Sequence, residues 1–131
     1  MSDPLGQTRI GAAGVKVRRL GFGSAPLGGL LRETPEADAI DAVHAALAVG
    51  LDYFDVAPQY GGGMAEQRLG MALRDTPRDR VVISSKVGKL IRPLPRNAKP
   101  ATSGFTGAPA HEIIYDYSYD GVFQSLEDSF R

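Results

Sequence analysis

Apolar residues in this chain come in short bursts, and the bursts alternate between extended and helical spacing. Arg9-Ile10 and Val15-Lys16-Val17 flank the turn Gly11-Ala12-Ala13-Gly14, which predicts a small hairpin. The polar leader before it, residues 1–8, is expected to fray. A second extended stretch, Leu20-Gly21-Phe22-Gly23, is stopped by Pro26, Gly28 and Gly29. A helix follows. Thr34 is its N-cap candidate, Pro35 its first residue, and Glu36 and Asp38 lie in the first turn, where the helix dipole favours acids. Ile40, Val43 and Leu47 mark its buried stripe, padded by Ala39 and Ala46, and Gly50 ends it as a left-handed cap. Leu51 to Phe54 reads as a strand with Asp55 at its end. Gly61-Gly62-Gly63 opens a second helix, Met64 to Leu73, with Ala65, Leu69 and Leu73 among its apolar positions. Val81 to Ser85 is a third strand, apolar enough at its start to suit a strand covered on both faces. Lys86 stands at its C-terminal end.

Residues 87–117 show no clear period and hold Pro93, Pro95, Pro100 and Pro109 with Gly88, Gly104 and Gly107. A long loop is expected there, of the kind that forms a lid or binding loop or stays disordered. A third helix begins near Ser118, with Tyr119, Val122, Phe123, Leu126 and Phe130 at helical spacing. Strand, helix, strand, helix, strand, loop, helix is the rhythm of a parallel α/β fold. The apolar stripe still runs at Phe130, and Arg131 follows with no capping glycine or further strand. The expectation is a domain interrupted after its third helix, with two open sheet edges prone to self-association.

Composition narrows the function classes. Fifteen basic and fifteen acidic residues among 131 give zero formal net charge, which argues against a nucleic-acid partner held by bulk charge. No apolar run approaches the roughly 20 residues of a membrane span. There is no cysteine, so disulfides, thiolate metal sites and cysteine nucleophiles are excluded. No His/Asp/Glu cluster has metal-ligand spacing. The N-terminus lacks the pattern of a signal peptide, so a cytoplasmic location is expected.

Three polar residues stand where strand ends should be: Asp55, Tyr60 five residues on, and Lys86. In parallel α/β folds the C-terminal strand ends converge on one face, where active sites form. The trio has a chemical logic. A tyrosine with a pKa near 10 is a poor acid or base at neutral pH. An ammonium about 4 Å away stabilises its phenolate by up to ~4 kcal/mol at an effective dielectric of about 20. A carboxylate paired with that ammonium keeps it charged and aimed, and the tyrosine becomes a usable general acid or base. Against this stands the plainer reading, in which the Asp–Lys pair is a salt bridge and the tyrosine only packs.

These residues carry a family resemblance. Asp52-Tyr53-Phe54-Asp55-Val56-Ala57-Pro58-Gln59-Tyr60-Gly61, followed by Glu66 and Leu69-Gly70, resembles the aldo-keto reductase signature around the catalytic aspartate and tyrosine. Ser84-Ser85-Lys86-Val87-Gly88 resembles the family's lysine segment, and Leu20-Gly21-Phe22-Gly23-Ser24 its first barrel strand, whose end contacts the nicotinamide. The leading hairpin resembles the one that closes the barrel bottom in that family, and the stretch from Tyr115 through Ser129 the start of its third barrel helix. Together with the long loop after Lys86, the pattern is most similar to the branch containing D-threo-aldose (fucose) and pyridoxal dehydrogenases.

The resemblance implies an NAD- or NADP-dependent oxidoreductase on a (β/α)₈ TIM barrel. Residues 1–131 would be its N-terminal portion, a hairpin and about three βα units. Tyr60 would give or take the proton, Lys86 would ease its ionisation, and Asp55 would hold Lys86. Gly23, Ser24 and Asp55 would meet the cofactor. The substrate would be a sugar, pyridoxal or other small aldehyde or alcohol. The family's active-site histidine and its phosphate-binding segments fall beyond Arg131 by register, and neither His44 nor His111 takes the histidine's place. An alternative is therefore kept: a catalytically inactive fragment acting only through association with a partner chain.

Other motifs weigh less. Gly21-x-Gly23 followed by Pro26 lacks the third glycine and the helix that a dinucleotide loop requires. Gly61-Gly62-Gly63 is expected to be a turn that lets Tyr60 reach inward rather than a phosphate cradle. Lys86, Lys89, Arg92, Arg96 and Lys99 form a basic run without an acid, read chiefly as a solvated loop.

Overall fold

The computed structural model describes residue 3, residues 5–98 and residues 104–131. Gln7–Ile10 (β1) and Val15–Arg18 (β2) pair antiparallel around the glycine turn, as predicted. Gln7 and Thr8, expected in the frayed leader, are already strand, because Gln7 and Thr8 find ladder partners in Arg18 and Val17. Met1, Ser2 and Pro4 of that leader, and Lys99 and Pro100 of the expected loop, lie outside the described residues.

The centre of the molecule is a parallel three-stranded sheet in the order Phe22–Gly23 (β3), Tyr53–Asp55 (β4), Val82–Ser84 (β5). Glu36–Ala48 (α1) and Met64–Leu73 (α2) are the crossovers. Helix α1 starts one residue later than expected. Pro35, with ψ 144°, occupies the N-cap position and no side chain caps the helix, so Thr34 does not act as the cap. Gly50 does close the other end, at φ 88°, its N–H donating to the Leu47 carbonyl at 3.0 Å.

Alternation along the strands gives each sheet face its task. Phe22, Phe54 and Ile83 share one register row and one face. On that face Phe54 is fully buried among Val43, Ala65 and Leu69 of the two helices, its ring 5.6 Å from that of Phe22. Tyr53, Asp55, Val82 and Ser84 point to the opposite face. Strand β5 does not meet the expectation of cover on both faces: Ile83 is 37% exposed even on the helical side. The helix that follows it, Tyr119–Ser129 (α3), packs on a different element.

That element is absent from the sequence-based expectation. Residues 87–117 are not one irregular loop. Lys89–Pro93 (β6) and His111–Tyr115 (β7) form an antiparallel hairpin with five register pairs, Lys89↔Tyr115 to Pro93↔His111. Two residues between the strands meet the loop after β3, where Leu30 bridges Phe105 and the Thr106 N–H donates to the Gly29 carbonyl at 2.8 Å. Helix α3 lies against β6, tied by the Gly88 N–H donating to Ser125 Oγ at 3.0 Å. Ser118 caps it through Gly121 N–H at 3.1 Å, the function expected of serine there. No described helix is long and apolar enough to cross a membrane.

Candidate active site

Gly23, Asp55 and Ser84 lie side by side in the last register row of the parallel sheet. The ladder runs one step further, with Ser24 N–H donating to the Asp55 carbonyl and Val56 N–H to the Ser84 carbonyl, both at 2.9 Å. This row is the C-terminal edge of all three strands, and the chain leaves it in three directions. After β4 it turns at Pro58 and reaches Tyr60. There Gly61, Gly62 and Gly63 all hold positive φ (67°, 61°, 96°) before α2 begins, a backbone path that suits glycine and few other residues. After β5 it presents Lys86.

The predicted trio converges. Lys86 Nζ donates to Asp55 Oδ2 at 2.8 Å and to the Val56 carbonyl at 3.0 Å, and it stands 5.0 Å from the centre of the Tyr60 ring. The tyrosine ring is flanked on another side by Phe105, 5.7 Å between centroids. Asp55 is held at its other oxygen too, for Ser84 Oγ donates to Oδ1 at 2.6 Å. Burial pushes the Asp55 carboxyl up, but the Lys86 and Ser84 donors and the Lys86 charge outweigh it, and its pKa lies below the ordinary aspartate value. Burial pulls the Lys86 ammonium down, but Asp55 and the Tyr60 side chain outweigh it, and its pKa lies above the ordinary lysine value. The pair is thus fixed in its charged state.

Gly23 borders this group with open space where a side chain would start, since a Cβ there would meet no atom within 4 Å. Ser24 sits one residue beyond and is fully buried; its hydroxyl has no hydrogen-bond partner among the described residues. A cavity of about 330 Å³ adjoins Tyr60 and Lys86, lined also by Gln59, Val87, Lys89 and Tyr117. Lys89 Nζ donates to Gln59 Oε1 across it and lies 5.4 Å from the Tyr115 ring. The two histidines are elsewhere. His44 Nε2 is 3.0 Å from the Ala72 carbonyl oxygen, at the α1–α2 contact. His111 Nδ1 is 2.7 Å from the Pro109 carbonyl oxygen, with the His111 ring against Gly62.

Sequence reasoning missed Ser84, Lys89, Phe105 and Tyr117. Ser84 shares a face with Asp55, but only the register of the two strands shows it. Lys89 lies on the hairpin, Phe105 in its connection and Tyr117 between β7 and α3, and the pattern did not reveal the hairpin that places them.

A parallel sheet whose three strands lie in chain order, with Asp55, Tyr60 and Lys86 gathered at its C-terminal edge, is the arrangement with which an α/β barrel opens. A model of the aldo/keto reductase family matches residues 19–131, and the chain belongs to that family. Pyridoxal 4-dehydrogenase of Microbacterium luteolum is 43% identical over 128 residues, which cover 92% of this chain and 37% of that protein. D-threo-aldose 1-dehydrogenase of a Pseudomonas species is 44% identical over 121 residues, 90% of this chain and 37% of the relative. Among solved structures, the glycerol dehydrogenase of Gluconobacter oxydans superposes on 95% of this chain and 35% of its own, with a TM-score of 0.69 and 25% identity. The chain spans little more than a third of the curated relatives it matches. Its fold is the N-terminal part of a (β/α)₈ barrel: the hairpin β1–β2 and three βα units.

Proposed function

We propose that this chain carries the proton-transfer residues of an NAD- or NADP-dependent oxidoreductase acting on a sugar, pyridoxal or another small aldehyde or alcohol, with residues 1–131 forming part of one barrel domain. The observation that supports this most is the Lys86 ammonium held between a carboxylate at 2.8 Å and the Tyr60 ring at 5.0 Å. A purely structural ion pair has no need of a phenol beside it. When bound, the nicotinamide supplies or accepts the hydride. The residues at the strand ends fit such a group. Gly23 leaves room for a flat ring, Ser24 offers an unpaired hydroxyl, and Asp55 lies in the same row.

In the reducing direction Tyr60 gives its phenolic proton to the substrate oxygen as that oxygen gains charge. Lys86 stabilises the phenolate left behind, and Asp55 keeps Lys86 in place. In the oxidising direction the Tyr60 phenolate takes the alcohol proton. The test is Tyr60→Phe, which keeps the ring and removes the proton. General acid–base catalysis contributes ~10²–10⁴-fold, so in a complete barrel enzyme kcat should fall by at least the lower figure while cofactor affinity changes little. Wild-type turnover in this variant would reject the mechanism.

One observation favours the second reading, an inactive chain that works through association. Strands β3 and β5 each pair only with β4 among the described residues, and α3 exposes Tyr119, Phe123 and Phe130. On this reading the 131-residue chain sediments as an oligomer and leaves aldehydes untouched. A monomer that turns over an aldehyde would reject it.

A further inference from the structure

Asp55 has two oxygens, and each has one donor. Lys86 reaches Oδ2 and Ser84 reaches Oδ1. A carboxylate can only accept, so the single Ser84 proton is committed to Oδ1. The Tyr53 hydroxyl lies 3.1 Å from Ser84 Oγ. With the serine proton already spent, Tyr53 must be the donor to Ser84. The polarity of the whole string follows from the charge at its end: Tyr53 donates to Ser84, Ser84 to Asp55, while Lys86 donates from the other side.

The string is built into the sheet. Tyr53, Asp55, Val82 and Ser84 occupy consecutive same-face positions on neighbouring strands, with Tyr53↔Val82 and Asp55↔Ser84 in register. Gly21 is part of the arrangement. A Cβ there, on the residue just before β3, would stand 2.8 Å from the Tyr53 ring, so a larger residue would push that ring from its place beside Ser84. We propose that Ser84, itself oriented by Tyr53, is the positioning residue for the Asp55 carboxylate. It fixes the plane of that carboxylate so that Oδ2 faces Lys86 and, through Lys86, sets where the ammonium stands at Tyr60. The catalytic consequence rests on the proton-transfer role proposed for Tyr60; the positioning of Asp55 does not.

The direction of the Asp55 pKa agrees, since Ser84 is one of the donors that lower it. A serine that merely fills the gap between strands would not affect that carboxyl when exchanged for alanine.

The test separates the two claims. The Asp55 carboxyl is titrated by ¹³C NMR in the 131-residue chain, with Asp55→Asn identifying its signal. Ser84→Ala should move the midpoint upward, Ser84→Thr should restore it, and Tyr53→Phe, which keeps the ring over Gly21, should give a smaller upward movement. In turnover, Ser84→Ala should lower kcat about tenfold at unchanged KM, short of the ~10²-fold that a 1 Å misplacement can cost, and Ser84→Thr should recover it. An unmoved Asp55 midpoint in Ser84→Ala overturns the proposal, whatever the turnover. A moved midpoint together with full activity in Tyr60→Phe supports the positioning of Asp55 and rejects the catalytic reading instead.

Discussion

Helices α1 and α2 and helix α3 carry the same kind of apolar stripe, and the stripes meet different fates. On the first two, Ala39, Val43, Ala65 and Leu69 are at most 2% exposed, closed over Phe54 of the sheet. On α3, Phe123 is 48% exposed and Leu126 39%, the C-cap residue Phe130 is 81% exposed, and the residues the helix buries are Gly121 and Ser125. Periodicity states which face of a helix wants cover. It does not state what supplies the cover. The α1 and α2 stripes meet a sheet face because each helix is the crossover between two neighbouring strands of the parallel sheet. Helix α3 follows a hairpin, docks on that hairpin through its small and polar side, and leaves its large side chains outward.

The difference has an energetic signature, and core truncation is the strongest way to break it. Phe54→Ala removes a fully buried ring beneath two helices and should cost about 3–5 kcal/mol. Phe123→Ala removes a ring that is half exposed and should stay within about 0.5 kcal/mol. Urea unfolding of both variants of the chain gives the comparison directly. Equal losses would mean that the α3 face is covered in solution, and the contrast between the two regions would disappear.

The same contrast explains what the sequence disclosed. Asp55 and Lys86 were legible because each stands at the end of a short apolar run, and a parallel sheet sends such positions to one edge. Tyr60 was legible from its place five residues after Asp55 and from the family resemblance of the segment that joins them. The hairpin β6–β7 was not. Its strands are five residues each, they carry Arg92 and Pro93, and residues 94–110 separate them, so no tight-turn signal joins them. What holds them is non-local: cross-strand partners such as Leu90↔Ile114, and the anchoring of Phe105 on Leu30. Phe105 beside Tyr60 was hidden for the same reason. Ser84 was hidden differently. It reads as one more strand residue until the register with Asp55 is known.

The Asp55–Lys86 pair joins the well-covered sheet to the exposed segment that follows it, and its contribution to stability should be small. The sign differs on the two flanks. Asp55 has a folded pKa below the ordinary value of 3.8, so its contribution is present above about that pH and is lost as pH falls through the folded value. Lys86 has a folded pKa above the ordinary 10.5, so its contribution is present below that pH and is lost as pH rises through the folded value. Both side chains are open to water, 42% and 49% exposed, and solvent screening should hold the pair below about 1 kcal/mol. Unfolding of wild type and Asp55→Asn across pH tests this. The wild-type advantage should be flat from about pH 5 to about pH 9 and shrink toward both extremes. A difference of several kcal/mol on that plateau would show the pair to be sealed from water, and the exposed segment after β5 to be covered much as the core is.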